Sequence, residues 1–144
     1  MEFPASMTKT VVINAPTSKV WKVITTPELI QKWISEGGTI VTSDWAVGKA
    51  ITFSGQLYNI KYSSKGTILA FEPEKVLSYN YWSKVSRLRD TPENYTVVEF
   101  TLSPNGEDTH VRLCLSNIAE AIYKHWEFYW NVALQMLKQV AETT

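Results

Sequence analysis

The sequence predicts an α+β fold in which a set of antiparallel strands packs against a long C-terminal helix. Trp126, Tyr129, Trp130, Ala133, Leu137 and Val140 recur at helical spacing near the end of the chain, so that helix carries an aromatic face needing a large partner. The middle of the chain breaks instead into short alternating segments divided by turn residues, the pattern of an antiparallel sheet. Ahead of that sheet, Pro27 divides two short stretches of helical periodicity.

The elements follow in order. Lys9 to Ile13 is β-branched and weakly alternating, a first strand that Asn14-Ala15-Pro16 breaks. Thr17 or Ser18 is placed to cap the helix that follows, where Val20, Trp21 and Ile24 share a face. That helix stops before Pro27, and a second begins there, carrying Leu29, Ile30, Trp33 and Ile34. Gly37-Gly38 closes the pair. Thr39 to Thr42, Lys49 to Ser54, Tyr62 to Phe71, Val76 to Trp82, Tyr95 to Leu102 and Thr109 to Leu115 then read as successive strands. Glu72-Pro73-Glu74-Lys75 and Pro104-Asn105-Gly106 are turns, the second a hairpin because Asn-Gly accepts positive φ.

Alternation assigns the faces. Leu77, Tyr79 and Tyr81, Val98, Phe100 and Leu102, and Val111, Leu113 and Leu115 point inward. Ser78, Asn80, Glu99, Thr101, His110, Arg112 and Cys114 point outward. Ser83 to Asn94 lacks apolar periodicity and holds Lys84, Arg87, Arg89, Asp90 and Pro92, so it reads as a long hairpin loop of the kind that often carries function.

Composition narrows the function. The 144 residues fit one domain, 1–144, with a core over about 8–142. Fourteen basic and fourteen acidic residues cancel, which argues against a nucleic-acid or polybasic membrane partner. The single cysteine, Cys114, has no partner within the chain and suits a reducing, cytoplasmic setting. No segment approaches the about 18 apolar residues of a membrane span, and Met1 to Met7 lacks the order of a signal peptide. Six tryptophans and seven tyrosines, by contrast, supply large rings with polar edges.

Ala15-Pro16, Val20-Trp21, Thr25, Pro27 and Trp33, then Phe71-Glu72-Pro73 with Leu77, then Trp126 and Leu134, Leu137 and Lys138 carry a resemblance over roughly Thr8 to Glu142. Their order and spacing resemble the helix-grip superfamily of START and Bet v 1-like proteins, most closely the group named after the activator of Hsp90 ATPase. The resemblance implies a curved antiparallel sheet gripping the C-terminal helix, two short helices between the first and second strands, and a cavity between sheet and helix. Relatives include lipid carriers, polyketide aromatase/cyclases, self-sacrificing resistance proteins and a co-chaperone domain, so the fold alone does not choose a chemistry. Many members carry a His-Ser-Gly-Phe type of segment after the last strand; here Leu115-Ser116-Asn117-Ile118 stands in its place, and any role of that histidine is absent.

The residues offer no recognisable catalytic set, metal site or cofactor site. His110 and His125 are the only histidines, and neither has a companion at ligand spacing. Ser54, Ser78, Ser83 and Ser116 lack an elbow-like glycine context, and Gly37-Gly38 and Gly48 lack a phosphate-cradling pattern. A binding cavity has better support. Phe53, Tyr79, Tyr81, Phe100 and Leu113 from the sheet would oppose Trp126, Tyr129, Trp130 and Ala133 from the helix. Ala133 would leave space, and the tyrosine hydroxyls would orient a planar, mostly apolar ligand of lipid, polyketide or phenolic type. The competing expectation is that these rings interlock and fill the space. Trp45 belongs at the cavity mouth or over a sheet edge. Two other readings remain: a cyclase- or hydrolase-type enzyme using Tyr79, Tyr81 or an inward Arg112, and a contact module for an Hsp90-type chaperone. An open sheet edge could also pair two copies as a homodimer.

Overall fold

The computed structural model describes residues 2–34, 39–57 and 60–144. Gly37-Gly38, the expected close of the early helix pair, lies outside the described residues. The seven expected strands are present as β1 (Ala5–Ile13), β2 (Ile40–Ser43), β3 (Ala50–Leu57), β4 (Ile60–Glu72), β5 (Val76–Ser83), β6 (Thr96–Asn105) and β7 (Asp108–Ile118). They form one antiparallel sheet in the spatial order β1-β7-β6-β5-β4-β3-β2. Strands β2 to β7 are therefore a meander, and the first strand closes onto the last. Helices α1 (Thr17–Thr25), α2 (Pro27–Ile30) and α3 (Glu120–Thr143) complete the α+β helix-grip arrangement.

The inward faces fall where alternation puts them. Leu77, Tyr79, Val98, Phe100, Leu102, Val111, Leu113 and Leu115 are buried and join Val20, Trp21, Val23 and Ile24 of α1 and Trp130, Ala133, Leu134 and Leu137 of α3 in one core. Tyr81 is half-buried at its margin. Lys138 and Glu142 fasten the end of α3 to the β1–α1 junction: Lys138 Nζ donates to the Val12 carbonyl at 2.8 Å, and the Asn14 N–H donates to Glu142 Oε2 at 2.8 Å.

Four local expectations are corrected. Neither Thr17 nor Ser18 caps α1; Pro16 holds the N-cap position without a side-chain bond, and the Thr17 hydroxyl turns to Glu74 Oε1 at 3.2 Å. The second helix is regular only over Pro27–Ile30, and single turns carry it on to Trp33 and Ile34. Ser78 is buried although it alternates with the inward residues. It pairs with Ala70 beside a register shift that leaves Leu69 as an extra residue on β4, and such a bulge bends the strand out of simple alternation. The last hairpin turns one residue later than expected, on Gly106-Glu107, because Asn105 still pairs with Asp108. Gly106 alone adopts positive φ there, at 64°, as the first position of a type II′ loop requires.

The connection after β5 is built rather than loose. Short 3-10 turns form at Lys84–Ser86 and Pro92–Asn94. The Trp82 indole donates to the Leu88 carbonyl at 3.2 Å, and Asn117 Nδ2 donates to the carbonyls of Glu93 and Tyr95 at 2.8 and 2.9 Å.

Candidate functional site

The nine residues expected to line a cavity do come together between the sheet and α3. Phe53 of β3 lies 5.7 Å from Tyr79 and 5.5 Å from Tyr81 of β5, measured between ring centroids. Tyr81 meets Trp126 edge-on at 5.2 Å, and Trp126 continues to Tyr129 at 5.6 Å and, stacked, to Trp130 at 6.2 Å. Trp130 then meets Phe100 at 5.8 Å, with Leu113 beside Phe100 on the neighbouring strand. Each step is a normal aromatic contact, favourable beyond its buried area. Ala133 is buried on the same side of α3 as Trp130.

These rings leave little space. A void of about 10 Å³ remains, lined in part by Phe53, Tyr79 and Phe100 together with Ile30, Trp33 and Trp45. That is room for about one water molecule at most. Tyr81, Trp126, Tyr129, Trp130, Leu113 and Ala133 do not line it. Trp45 lines the void and packs against Phe71 of β4 at 6.3 Å.

The polar groups inside the cluster decide what it can do. Burial first, then the Tyr129 and Tyr81 phenols, hold the Tyr79 hydroxyl well above its ordinary pKa, so it stays a neutral donor at physiological pH. Tyr81 Oη donates to Ser64 Oγ at 2.8 Å, and Tyr129 Oη donates to the Ile34 carbonyl. The indole Nε1–H of Trp130 is buried and has no acceptor among the described residues. His125, at the rim of the cluster, is exposed and stacks on Tyr129 at 6.3 Å.

Sequence reasoning missed Ser64 and the Ile34 carbonyl. Ser64 had a signal, since it lies in phase with buried Ile68 on β4; a main-chain carbonyl has none. The enzyme reading loses one residue: Arg112 is exposed on the outer face of β7, opposite Thr101, and cannot act inside the core. Among the described residues no three His, Cys, Asp or Glu side chains gather as a metal site, and no helix is long and apolar enough to cross a membrane. Cys114 is half-buried on the outer face, 3.5 Å from Thr8 Oγ1.

Comparison with known proteins agrees with this architecture. A family model described as Activator of Hsp90 ATPase homolog 1-like protein matches residues 14–142. The solution structure of ChR145 from Cytophaga hutchinsonii is 38% identical, covers 96% of this chain and 94% of its own, and superposes with a TM-score of 0.80. The crystal structure of CV1439 from Chromobacterium violaceum shares the fold at 19% identity, with 98% and 100% of the chains covered and a TM-score of 0.81. The Aha1 dimer from Colwellia psychrerythraea does so at 21% identity, with 96% and 97% covered and a TM-score of 0.74. No curated protein matches.

Proposed function

The chain belongs to the Activator of Hsp90 ATPase homolog 1-like family, and from that premise we propose that it binds a small hydrophobic or aromatic molecule of lipid, polyketide or phenolic type between the sheet and α3. Family and neighbours fit a ligand-binding or co-chaperone-type module. The observation that favours a ligand is the Trp130 indole, a buried donor with no acceptor among the described residues, in the middle of the ring cluster. Such a group costs about 1–3 kcal/mol. A ligand carbonyl or ether oxygen reaching Nε1 would recover that cost, while the neutral Tyr79 hydroxyl offers a second donor. The void of about 10 Å³ makes this a closed form. Entry requires the half-buried rings of Tyr81, Trp126 and Tyr129 to part, which costs their ring contacts and the hydrogen bonds of Tyr81 to Ser64 and of Tyr129 to the Ile34 carbonyl. On this reading the protein is a single-domain cytoplasmic carrier or sensor that needs no cofactor.

The test is an NMR screen of the labelled protein against fatty acids, flavonoid-like phenolics and polyketide analogues. A binding scaffold moves the Trp130 indole N–H resonance together with the amides of Tyr79, Tyr81 and Trp126. Silence of that indole across all three panels rules the reading out.

One observation favours a second reading, a protein-interaction module. Phe128, Val132 and Met136 stand one turn apart on the outer side of α3, and Phe128 is 72% exposed. The occupant would be an Hsp90-type chaperone or a second copy, and the Colwellia relative is described as a dimer. Sedimentation of wild-type and Phe128→Ser protein, with and without the chaperone, separates these from a monomer that binds neither.

A further inference from the structure

We propose that the outer face of the sheet carries a second ligand site, a cleft for a neutral polyhydroxylated ring such as a sugar or cyclitol, where the connection after β5 folds against β4 and β5. The cleft has a volume of about 400 Å³ and is lined by Lys65, Thr67, Asn80, Asp90, Pro92 and Tyr95, with Gly66 between them. Small-molecule sites occupy about 300–1,000 Å³. It is separate from the ring cluster, because Asn80 faces away from Tyr79 and Tyr81 on either side of it along β5.

Its polar groups are already held in place. Lys65 Nζ lies 2.6 Å from Asp90 Oδ2, and Tyr95 Oη donates to Asp90 Oδ1 at 2.5 Å. The Lys65 ammonium sits 5.7 Å from the Trp82 ring centroid, and Trp82 stacks on Tyr95 at 6.5 Å. The Thr67 N–H donates to Asn80 Oδ1 at 2.7 Å, which orients the amide while its Nδ2 donors keep no hydrogen bond among the described residues. The cleft therefore sets donors, Lys65 Nζ and Asn80 Nδ2, beside acceptors, Asp90 and Tyr95 Oη, with no net charge.

That combination selects the ligand class. A free anion meets the Asp90 carboxylate, and a free cation meets the Lys65 ammonium, so either must break the ion pair to bind. A vicinal diol needs no such rearrangement: each hydroxyl accepts from the ammonium or amide and donates to the carboxylate or phenol oxygen. Pro92 and the Tyr95 ring add apolar surface suited to the C–H face of a six-membered ring.

The experiment titrates the labelled full chain with methyl β-glucopyranoside and with myo-inositol, and in parallel with sodium phosphate and tetramethylammonium chloride. We expect one of the two polyols to give saturable shifts at the Gly66, Thr67, Asn80 and Tyr95 amides with a dissociation constant on the order of 1–10 mM, and the Trp130 indole to stay still. Asp90→Asn should weaken binding about tenfold or more, as loss of a hydrogen bond to a charged group does. Tyr95→Phe keeps the ring and removes only the hydroxyl, so it decides the question if Asp90→Asn unfolds the connection; it should weaken binding about threefold or more. The proposal is overturned if neither polyol saturates, if phosphate or tetramethylammonium gives the saturable response instead, or if both variants bind as the wild type does.

Discussion

The indole N–H of Trp33 donates at 3.1 Å to the main-chain carbonyl of Val23, the acceptor that Pro27 leaves empty. In a continuous helix the Val23 carbonyl would receive the N–H of residue 27, and proline has none. Trp33 thereby lets the chain turn from α1 into α2 without burying an orphan carbonyl.

Trp33 and Trp130 are buried alike, yet one indole N–H is paired and the other has no partner among the described residues. Replacing each by phenylalanine removes a similar amount of ring but changes the polar balance in opposite directions. Trp33→Phe strands the Val23 carbonyl, whereas Trp130→Phe deletes an unsatisfied donor. Trp33→Phe should therefore be the less stable variant by about 2 kcal/mol. Urea unfolding of both proteins measures the difference, and equal midpoints would mean that the Trp130 N–H is satisfied in solution.

Gly66 is glycine because β4 and β5 come too close for anything larger. A Cβ built on it would lie 1.6 Å from the Asn80 carbonyl oxygen. The same crowding displaces the strand ladder, and the Thr67 N–H bonds the Asn80 side chain instead. Gly66→Ala must push the two backbones apart and should cost about 3 kcal/mol or more, at the upper end for overpacking. Thermal unfolding checks the cost, and loss of the Tyr81–Ser64 hydrogen bond should appear as altered Tyr81 ring shifts.

What could be read from the sequence divides along a physical line. Local periodicity reports on backbone conformation, so the strand carrying Leu77 and Tyr79, the break at Pro27 and the aromatic face of α3 were all legible. Ser78 was not, because its burial follows from an extra residue, Leu69, on a different strand. The turn at Gly106 was placed one residue early because Asn-Gly fixes a turn's chemistry but not its register. For the candidate site, alternation chose the rings correctly as neighbours. Whether neighbouring rings enclose space depends on rotamers and sheet curvature, which no spacing encodes, and the void came out at about 10 Å³. The outer cleft was less visible still, since it joins Lys65, Asn80 and Asp90 from three separate segments.

Asn117 adopts a left-handed backbone conformation, with φ at 60°. Asparagine is the side chain that tolerates this left-handed conformation best after glycine. Here the side chain also fastens the connection after β5 through its two bonds to Glu93 and Tyr95. Asn117→Gly keeps the backbone and loses those bonds, at about 1–2 kcal/mol. Asn117→Ala loses them and adds left-handed strain, about 1 kcal/mol further. Amide exchange should quicken across residues 84–94 in both variants, with the alanine variant melting at the lower temperature.

Glu142 gives the fold an acid-sensitive tie. The Asn14 N–H and then the Lys138 ammonium, 2.5 Å away, hold the Glu142 carboxyl below its ordinary pKa. A carboxyl whose folded value is depressed contributes its stability in full above the unfolded value, about 4.3 for glutamate. The contribution is lost as pH falls through the lower folded value, because the proton then binds the unfolded chain first. Glu142→Gln retains an acceptor for Asn14 but has no charge to lose. The variant should be less stable than wild type at pH 7, and the gap should close as pH falls from about 5 toward 3. Urea unfolding at a series of pH values measures the gap, and a gap that stays constant across that range would show that the Asn14 and Lys138 contacts do not depend on the carboxylate's charge.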